Sequence, residues 1–422
     1  MEKYRPRIAD GILNFKLRSK GAVLIEGAKW CGKTTTALQV AKSVLMMQEN
    51  TARNLEMAEL APSRLLRGDT PRLIDEWQLA PGLWDAVRVE VDKRDEFGQF
   101  MLTGSAVPPD NSGIHHTGTG RITRMRMRPM TLFESGDSSG EVSLAALFSD
   151  SGEITGENKA DLDRVAFWIC RGGWPKAIGQ QPDVALQQAI DYYDAVVESD
   201  ISRVDDVERD AERTKRLLRS YARFVGSQAK IPTMIEDMKA NDVENLSEVT
   251  VRSYINALKK IFVIEDSPAW NPNLRSKTSI RTSDTRYFTD PSIAAAALGI
   301  GPGDLINDLE SMGLFFENLC IRDLRVYSEK MDGSVYHYRD KSGLECDAVV
   351  HLRNGSYGLI EIKLGGDTSI EEGVKTLNAF EGRIDTKKMK KPAFRMILTA
   401  AGRYAYRRKD GIVIVPIGCL KD

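Results

Sequence analysis

Apolar residues in the first third of the chain fall into short runs, separated by stretches of helical spacing. That alternation is the signature of strands buried in a parallel sheet with helices on its faces. Residues 22–25 (Ala-Val-Leu-Ile), the pair Leu73-Ile74 and residues 99–102 are the runs. Ahead of them, Tyr4, Ile8, Ile12, Leu13 and Leu17 recur at helical intervals. Residues 122–127 alternate apolar and basic positions, which predicts an edge strand with arginines on one face.

Further on the period changes. Residues 163–228 read as helical, with a break at Cys170-Arg-Gly-Gly-Trp174-Pro175 and a charged helix over 205–225. The chain then spells helix (231–238), turn (241–247), helix (249–260), strand (261–264), polar loop to Arg281 and strand (286–288), the order of a winged helix. Val251, Tyr254, Ile255 and Leu258 would face inward. Thr250, Arg252, Ser253, Asn256 and Lys259 would face outward, with Arg275, Lys277 and Arg281 on the wing, either to contact DNA or as part of a purely structural spacer. A helix over 305–323, strands over 335–338, 345–351 and 357–363, a helix over 370–380 and a strand over 394–398 complete the chain. The residues between 134 and 163, rich in Ser, Gly and acids, read as an exposed connection.

Composition changes this picture little. At 422 residues the chain has room for about three domains. Its 59 Lys plus Arg nearly cancel 60 Asp plus Glu, so any nucleic-acid surface must be local. Five scattered cysteines without a C-x-x-C pair fit a reducing compartment. The first residues lack the apolar stretch of a signal peptide, and no run is long enough to span a membrane, so a soluble cytoplasmic protein is expected.

The chemistry is concentrated after the first strand. Gly27-x-x-x-x-Gly32-Lys33-Thr34 joins a strand to a helix, the context a phosphate loop needs. Its glycines let successive backbone N–H groups face one anion, Lys33 reaches the β- and γ-phosphates, Thr34 ligates Mg²⁺, and Thr35 follows in the same turn. Asp75, ending an apolar strand next to the loop strand, is the second Mg²⁺ contact, and Glu76 beside it is placed to polarise the attacking water. In P-loop ATPases with an additional strand, a polar residue at the end of that strand senses the γ-phosphate; Thr103 is the expected residue, Ser105 the second choice. Arg121, where a loop meets the edge strand, could act on a neighbouring subunit's γ-phosphate in a homo-oligomer. His115 and His116 have no acidic or cysteine partners nearby and read as exposed. Asn158-Lys-Ala-Asp161 matches the guanine-reading N-K-x-D string, but no buried strand precedes it, so ATP and Mg²⁺ are the expected cofactors. Near the C-terminus, Asp347 and Glu361 with Glu317 could hold a metal ion, and Lys363 shares a strand face with Glu361.

These stretches resemble the bacterial and archaeal AAA-type P-loop ATPases of the signal-transduction-like branch, whose C-terminal domain of unknown function is similar to PD-(D/E)xK nucleases. The resemblance rests on G-A-K-W-C-G-K-T-T, P-R-L-I-D-E-W-Q, F-M-L-T-G-S, G-R-I before M-R-P-M-T-L-F-E, G-G-W-P, F-F-E-N-L, G-L-E-C-D and E-I-K. Ala28 to Cys31 stand where the commoner loop has Pro-Arg-Gln-Val, and E-C-D stands where P-D is usual. The resemblance implies an α/β chain with a P-loop ATPase core and parallel sheet (1–140), a helical lid (141–230), a winged helix (231–290) and a PD-(D/E)xK-like domain (291–422). It also implies an ATPase whose nucleotide state governs a module acting on or near DNA. The alternative is a nucleotide-dependent switch or DNA-binding regulator whose nuclease-like domain is inactive.

Overall fold

The structure is a computed structural model, and the residues it describes are 4–105, 118–149, 154–202, 204, 207–239, 247–271, 283–384 and 389–422. By spatial grouping the chain forms two units. The first comprises Met1–Pro129, Glu198–Arg209 and Tyr254–Val263, and the second Met130–Val197, Asp210–Ser253 and Ile264–Asp422. In this grouping the first break falls after Pro129, and most of residues 141–290 group with the C-terminal region.

In the first unit β1 (Ala22–Glu26), β2 (Ser43–Met46), β3 (Arg72–Asp75), β4 (Phe100–Gly104) and β5 (Ile122–Arg126) make one sheet in the order β2-β3-β4-β1-β5. All its pairings are parallel. Because successive side chains point to opposite faces, Ala22 and Leu24 pack with Trp84, Val87 and Val91 of the helix Leu83–Arg94. Val23 and Ile25 pack on the other side with Leu13 and Leu17 of the helix Ile8–Leu17. β4 stands between β1 and β3. Asp75 is therefore one strand removed from the loop strand rather than next to it, with Thr103 in between. β5 is the sheet edge, and Arg124 and Arg126 are exposed on it as the alternation predicts.

The second unit is built on a seven-stranded sheet. Its strands are β7 (Gly156–Glu157), β8 (Gly333–Arg339), β9 (Glu345–Leu352), β10 (Tyr357–Lys363), β11 (Phe394–Thr399), β12 (Tyr404–Arg407) and β13 (Val413–Pro416), in the order β7-β12-β13-β11-β10-β9-β8. β6 (Val142–Ser143) pairs separately with β14 (Leu420–Lys421). The expected helix, three strands, helix and strand are all present, with helices at Leu309–Lys330 and Asp367–Glu381. β12 and β13 extend the sheet beyond that expectation. The stretch read as an exposed connection supplies β6, β7 and the buried Leu144, Leu147 and Asn158, which corrects that reading. In the N-K-x-D string, Asn158 Nδ2 donates to the carbonyls of Ala160 (3.0 Å) and Gly402 (2.9 Å), and Asp161 caps the helix Leu162–Arg171. Both residues shape a turn.

Helices occur at Ile231–Lys239 and Glu248–Lys260. The strand expected at 261–264 is corrected: Ile261 N–H still donates to the Ala257 carbonyl, and Phe262 turns at φ +60°, closing the helix. Antiparallel pairing begins at Ile264 with Phe288 and continues at Ser267 with Thr285. Arg275, Lys277 and Arg281, like His115 and His116, lie outside the described residues. Of the outward positions, Arg252 and Asn256 are exposed, while Thr250, Ser253 and Lys259 are half-buried.

Candidate functional site

The loop after β1 has backbone that only glycine takes easily. Gly27 lies at φ +153°, and a Cβ there would stand 2.0 Å from the Met127 carbonyl oxygen, so the end of β5 would collide with any side chain. Gly32 at φ +103° turns the chain into the helix Lys33–Leu38. Lys33 is buried, and its Nζ donates to the Gly27 (2.9 Å) and Ala28 (2.8 Å) carbonyls. An ammonium held on oxygen acceptors inside a backbone cradle is prepared to take phosphate oxygens instead. Thr35 is exposed one residue beyond Thr34.

Three expected residues meet on one oxygen. Thr34 Oγ1 donates to Asp75 Oδ1 at 2.6 Å, and Thr103 Oγ1 donates to the same Oδ1 at 2.5 Å. The parallel register sets this up, since Asp75 lies directly opposite Thr103 at the ends of β3 and β4. A hydroxyl and a carboxylate are hard oxygen donors of the kind Mg²⁺ accepts, so the residues present fit that ion. Glu76 follows at φ +55°, in the left-handed region that costs a side chain energy, and its carboxylate accepts from Gln78 Nε2. Gly104 leaves room for this pair, because a Cβ there would be 2.8 Å from Gln78 Oε1.

Arg121 is not brought to the loop of its own chain. It precedes β5 at the N-terminal end of the strand, opposite to the end where the loop lies, and its Nε is 2.7 Å from Asp92 Oδ1. Sequence reasoning missed other groups that hold the loop. Arg7 Nη1 donates to the Cys31 carbonyl (2.9 Å) and Nη2 to the Arg128 carbonyl (2.8 Å), and Tyr4 Oη lies 3.0 Å from Thr36 Oγ1. Lys29 Nζ is 2.5 Å from Asp200 Oδ1. The N-terminal helix expected ahead of the loop was the only signal for the first two; nothing local pointed to Asp200.

The second unit brings the other expected group together. β9 and β10 are antiparallel with Ala348 opposite Ile360, which sets Asp347 across from Glu361. Lys363 Nζ lies 2.8 Å from Glu361 Oε2 and 3.3 Å from Asp347 Oδ2, and Asp347 also accepts from Ile362 N–H at 2.7 Å. Glu317, on the helix Leu309–Lys330, accepts from the buried Tyr287 hydroxyl. Burial and the Asp347 charge push the Glu361 carboxyl up to about 8 and raise that of Glu317 well above the carboxylate range. Burial pulls the Lys363 ammonium down, but Asp347 and Glu361 outweigh it and raise it. Glu361 Oε1 has no hydrogen-bond partner among the described residues. Among those residues no three His, Cys, Asp or Glu side chains are spaced to hold a metal ion. Lys363 supplies a positive charge between Asp347 and Glu361.

A pH dependence follows. With its carboxyl raised to about 8 from an ordinary 4.5, Glu361 contributes stability that is fully present below 4.5 and lost as pH rises through 8. In EDTA, the denaturant midpoint should fall between about pH 5 and 8 and level off above that. Glu361→Gln, which has no proton to lose, should reduce that fall; equal slopes in both proteins would contradict the assignment.

Residues 19–135 match the family model of an AAA domain. Residues 162–304 and 312–420 match two domains of unknown function, DUF8612 and DUF4143. Uncharacterized proteins of Mycobacterium bovis and Mycobacterium tuberculosis are each 23% identical over 415 residues, covering 97% of this chain and 83% of theirs. Among solved structures, the Walker-type ATPase PabY2304 of Pyrococcus abyssi aligns with a TM-score of 0.44 and 12% identity, over 70% of this chain and 96% of that one. The AAA match spans the phosphate loop, Asp75, Glu76, Thr103 and Arg121, and supports nucleotide binding and hydrolysis by the first unit. No helix among the described residues is long and apolar enough to cross a membrane.

Proposed function

We propose that this chain binds Mg²⁺ and ATP at Gly27–Thr35, hydrolyses the nucleotide, and uses its state to control the C-terminal unit. The observation that carries the reading is the meeting of the Thr34 and Thr103 hydroxyls on Asp75 Oδ1 beside a glycine cradle that already holds Lys33. Bound Mg²⁺·ATP supplies a γ-phosphoryl group for transfer to water. Lys33 would hold the phosphate oxygens, and Thr34 with Asp75 would ligate the ion, directly or through water. Thr103, exchanging Asp75 for a phosphate oxygen, would report the γ-phosphate. Glu76, held by Gln78, would orient the attacking water and take its proton. Arg121 could serve only a neighbouring subunit's nucleotide, in a homo-oligomer.

Glu76→Gln should leave ATP affinity near that of the parent and slow phosphate release by about 10² or more, the scale of a lost general base. A malachite-green assay beside calorimetric titration separates the two. Unchanged turnover would move the role to another residue, and loss of binding would make Glu76 a ligand.

A second reading gives the C-terminal unit nuclease chemistry on DNA. The convergence of Asp347, Glu361 and Lys363, with an unpartnered oxygen on Glu361, favours it. A cavity of about 470 Å³, lined by Lys230, Arg252 and Arg286 with Glu248 and Asp284, offers cations for a DNA phosphate. Lys363 in the ion's place favours instead an inactive module controlled by the ATPase. Cutting of linear DNA in Mn²⁺ that disappears in Asp347→Asn would decide for the nuclease, and no cutting would decide for the inactive module.

A further inference from the structure

The phosphate loop carries a second cation that the reading above leaves without a role. Lys29 lies two residues after Gly27, with its ammonium 2.5 Å from Asp200 Oδ1; Lys29 is 41% exposed and Asp200 only 7%. Asp200 belongs to Glu198–Arg209, which groups with the first unit although the chain on either side of it groups with the second. Its described residues hold one another. Ser202 Oγ accepts from Arg209 N–H (3.1 Å), Arg209 Nη1 donates to the Ile201 carbonyl (3.0 Å), and the Arg209 guanidinium lies 5.7 Å from the centre of the Tyr254 ring. Ile201 and Val204 are buried. On the loop side, Trp30 next to Lys29 sits at φ +63°, a backbone state that a non-glycine residue keeps only when its surroundings impose it.

We propose that Lys29 is a second phosphate-binding cation of the nucleotide site, masked by Asp200, and that Asp200 sets nucleotide affinity by competing with phosphate oxygens for it. The proposal rests on the ATP reading of the loop. Lysine presents a compact charge with three donors on a flexible stem, so its ammonium can leave one oxygen for another without rebuilding the loop. A polyphosphate offers several charged oxygens where Asp200 offers one carboxylate. The opposing cost lies with Asp200, which is nearly dewatered and would lose its cation, keeping among the described residues a long 3.4 Å contact from Ser199 Oγ. Binding is therefore weaker than the bare loop would give. Occupation of the site also removes the ion pair that ties Glu198–Arg209 to the loop, so the segment continuous with the second unit's chain senses nucleotide.

The test is calorimetric titration of the full chain with Mg²⁺ and a non-hydrolysable ATP analogue. Asp200→Asn should tighten binding and Lys29→Met should weaken it, each by ~10-fold, within the range of directly coupled pairs. In the Lys29→Met background, Asp200→Asn should then change nothing. A salt bridge with only a structural role would weaken binding in both variants, and that result overturns the proposal. So does an Asp200→Asn effect that survives without Lys29. If Asp200→Asn fails to fold, undiminished affinity in Lys29→Met overturns it alone. Binding that is lost in Lys33→Ala yet indifferent to positions 29 and 200 overturns this proposal and leaves the ATP reading standing; no binding by the parent protein overturns both.

Discussion

Lys33→Ala is expected to lower ATP affinity by about 10³ or more, the loss that follows when one partner of a desolvated charge contact is truncated. The side chain is buried inside the loop, so its ammonium is screened little and faces whatever fills the cradle. Its two present acceptors, the Gly27 and Ala28 carbonyls, are neutral, so phosphate oxygens would gain from the exchange. Lys29 would not make up the loss, because its ammonium has first to give up Asp200. The variant also loses two hydrogen bonds that hold the loop, so circular dichroism and the thermal midpoint must accompany the titration. A folded Lys33→Ala protein that binds ATP with unchanged affinity would remove the nucleotide assignment.

The loop and its partners were legible because their chemistry is local. Eight consecutive residues fix the cradle, and an apolar pair ending in Asp75 announces a strand end. Their convergence depends on strand order and register, which no local pattern carries, and so Thr103 could be expected at a strand end near the γ-phosphate but its contact with Asp75 could not. Asp347, Glu361 and Lys363 were legible for the same reason, through the two-residue period of β10. What stayed hidden is what tertiary structure alone creates. Asp200 lies 171 positions from Lys29, and one acid among several between two helical stretches carries no signal of its partner. β6, β7 and β14 have two residues each, too short to show a period, and they turned an acidic, Ser- and Gly-rich stretch into part of two sheets. The charges buried along the helix Leu309–Lys330 were invisible too, since Arg322 and Asp323 look like any solvated helix surface.

Those charges support the prediction with the largest effect on folding. Arg322 is 1% exposed; Nη1 lies 2.9 Å from Asp290 Oδ2 and Nη2 2.7 Å from Asp323 Oδ1. The two acids in turn accept backbone donors: Gly173 N–H at 2.9 Å on Asp290, and Leu132 N–H at 3.0 Å on Asp323. Ser292 donates to Asp290 and accepts from Trp174 Nε1 at 3.0 Å, so the G-G-W-P turn, the helix Pro291–Leu298 and the long helix share one network. Arg322→Met keeps the volume but strands two buried carboxylates, which should cost about 3–5 kcal/mol. The sign of its pH dependence follows from Asp323. Burial outweighs the pull of Arg322 and pushes this carboxyl up to about 6, so its contribution is fully present below the ordinary carboxylate value and lost as pH rises through 6. Without Arg322 the carboxyl titrates higher still, and the deficit against the parent should grow between about pH 5.5 and 8. Arg322→Met/Asp323→Asn, which removes one stranded charge and keeps an oxygen for Leu132 N–H, should recover part of the loss. Denaturant titrations of the three proteins at both pH values test this, and a deficit below about 1 kcal/mol, or one that shrinks as pH rises, would mean that Arg322 packs as a large side chain and its charge does not hold the network.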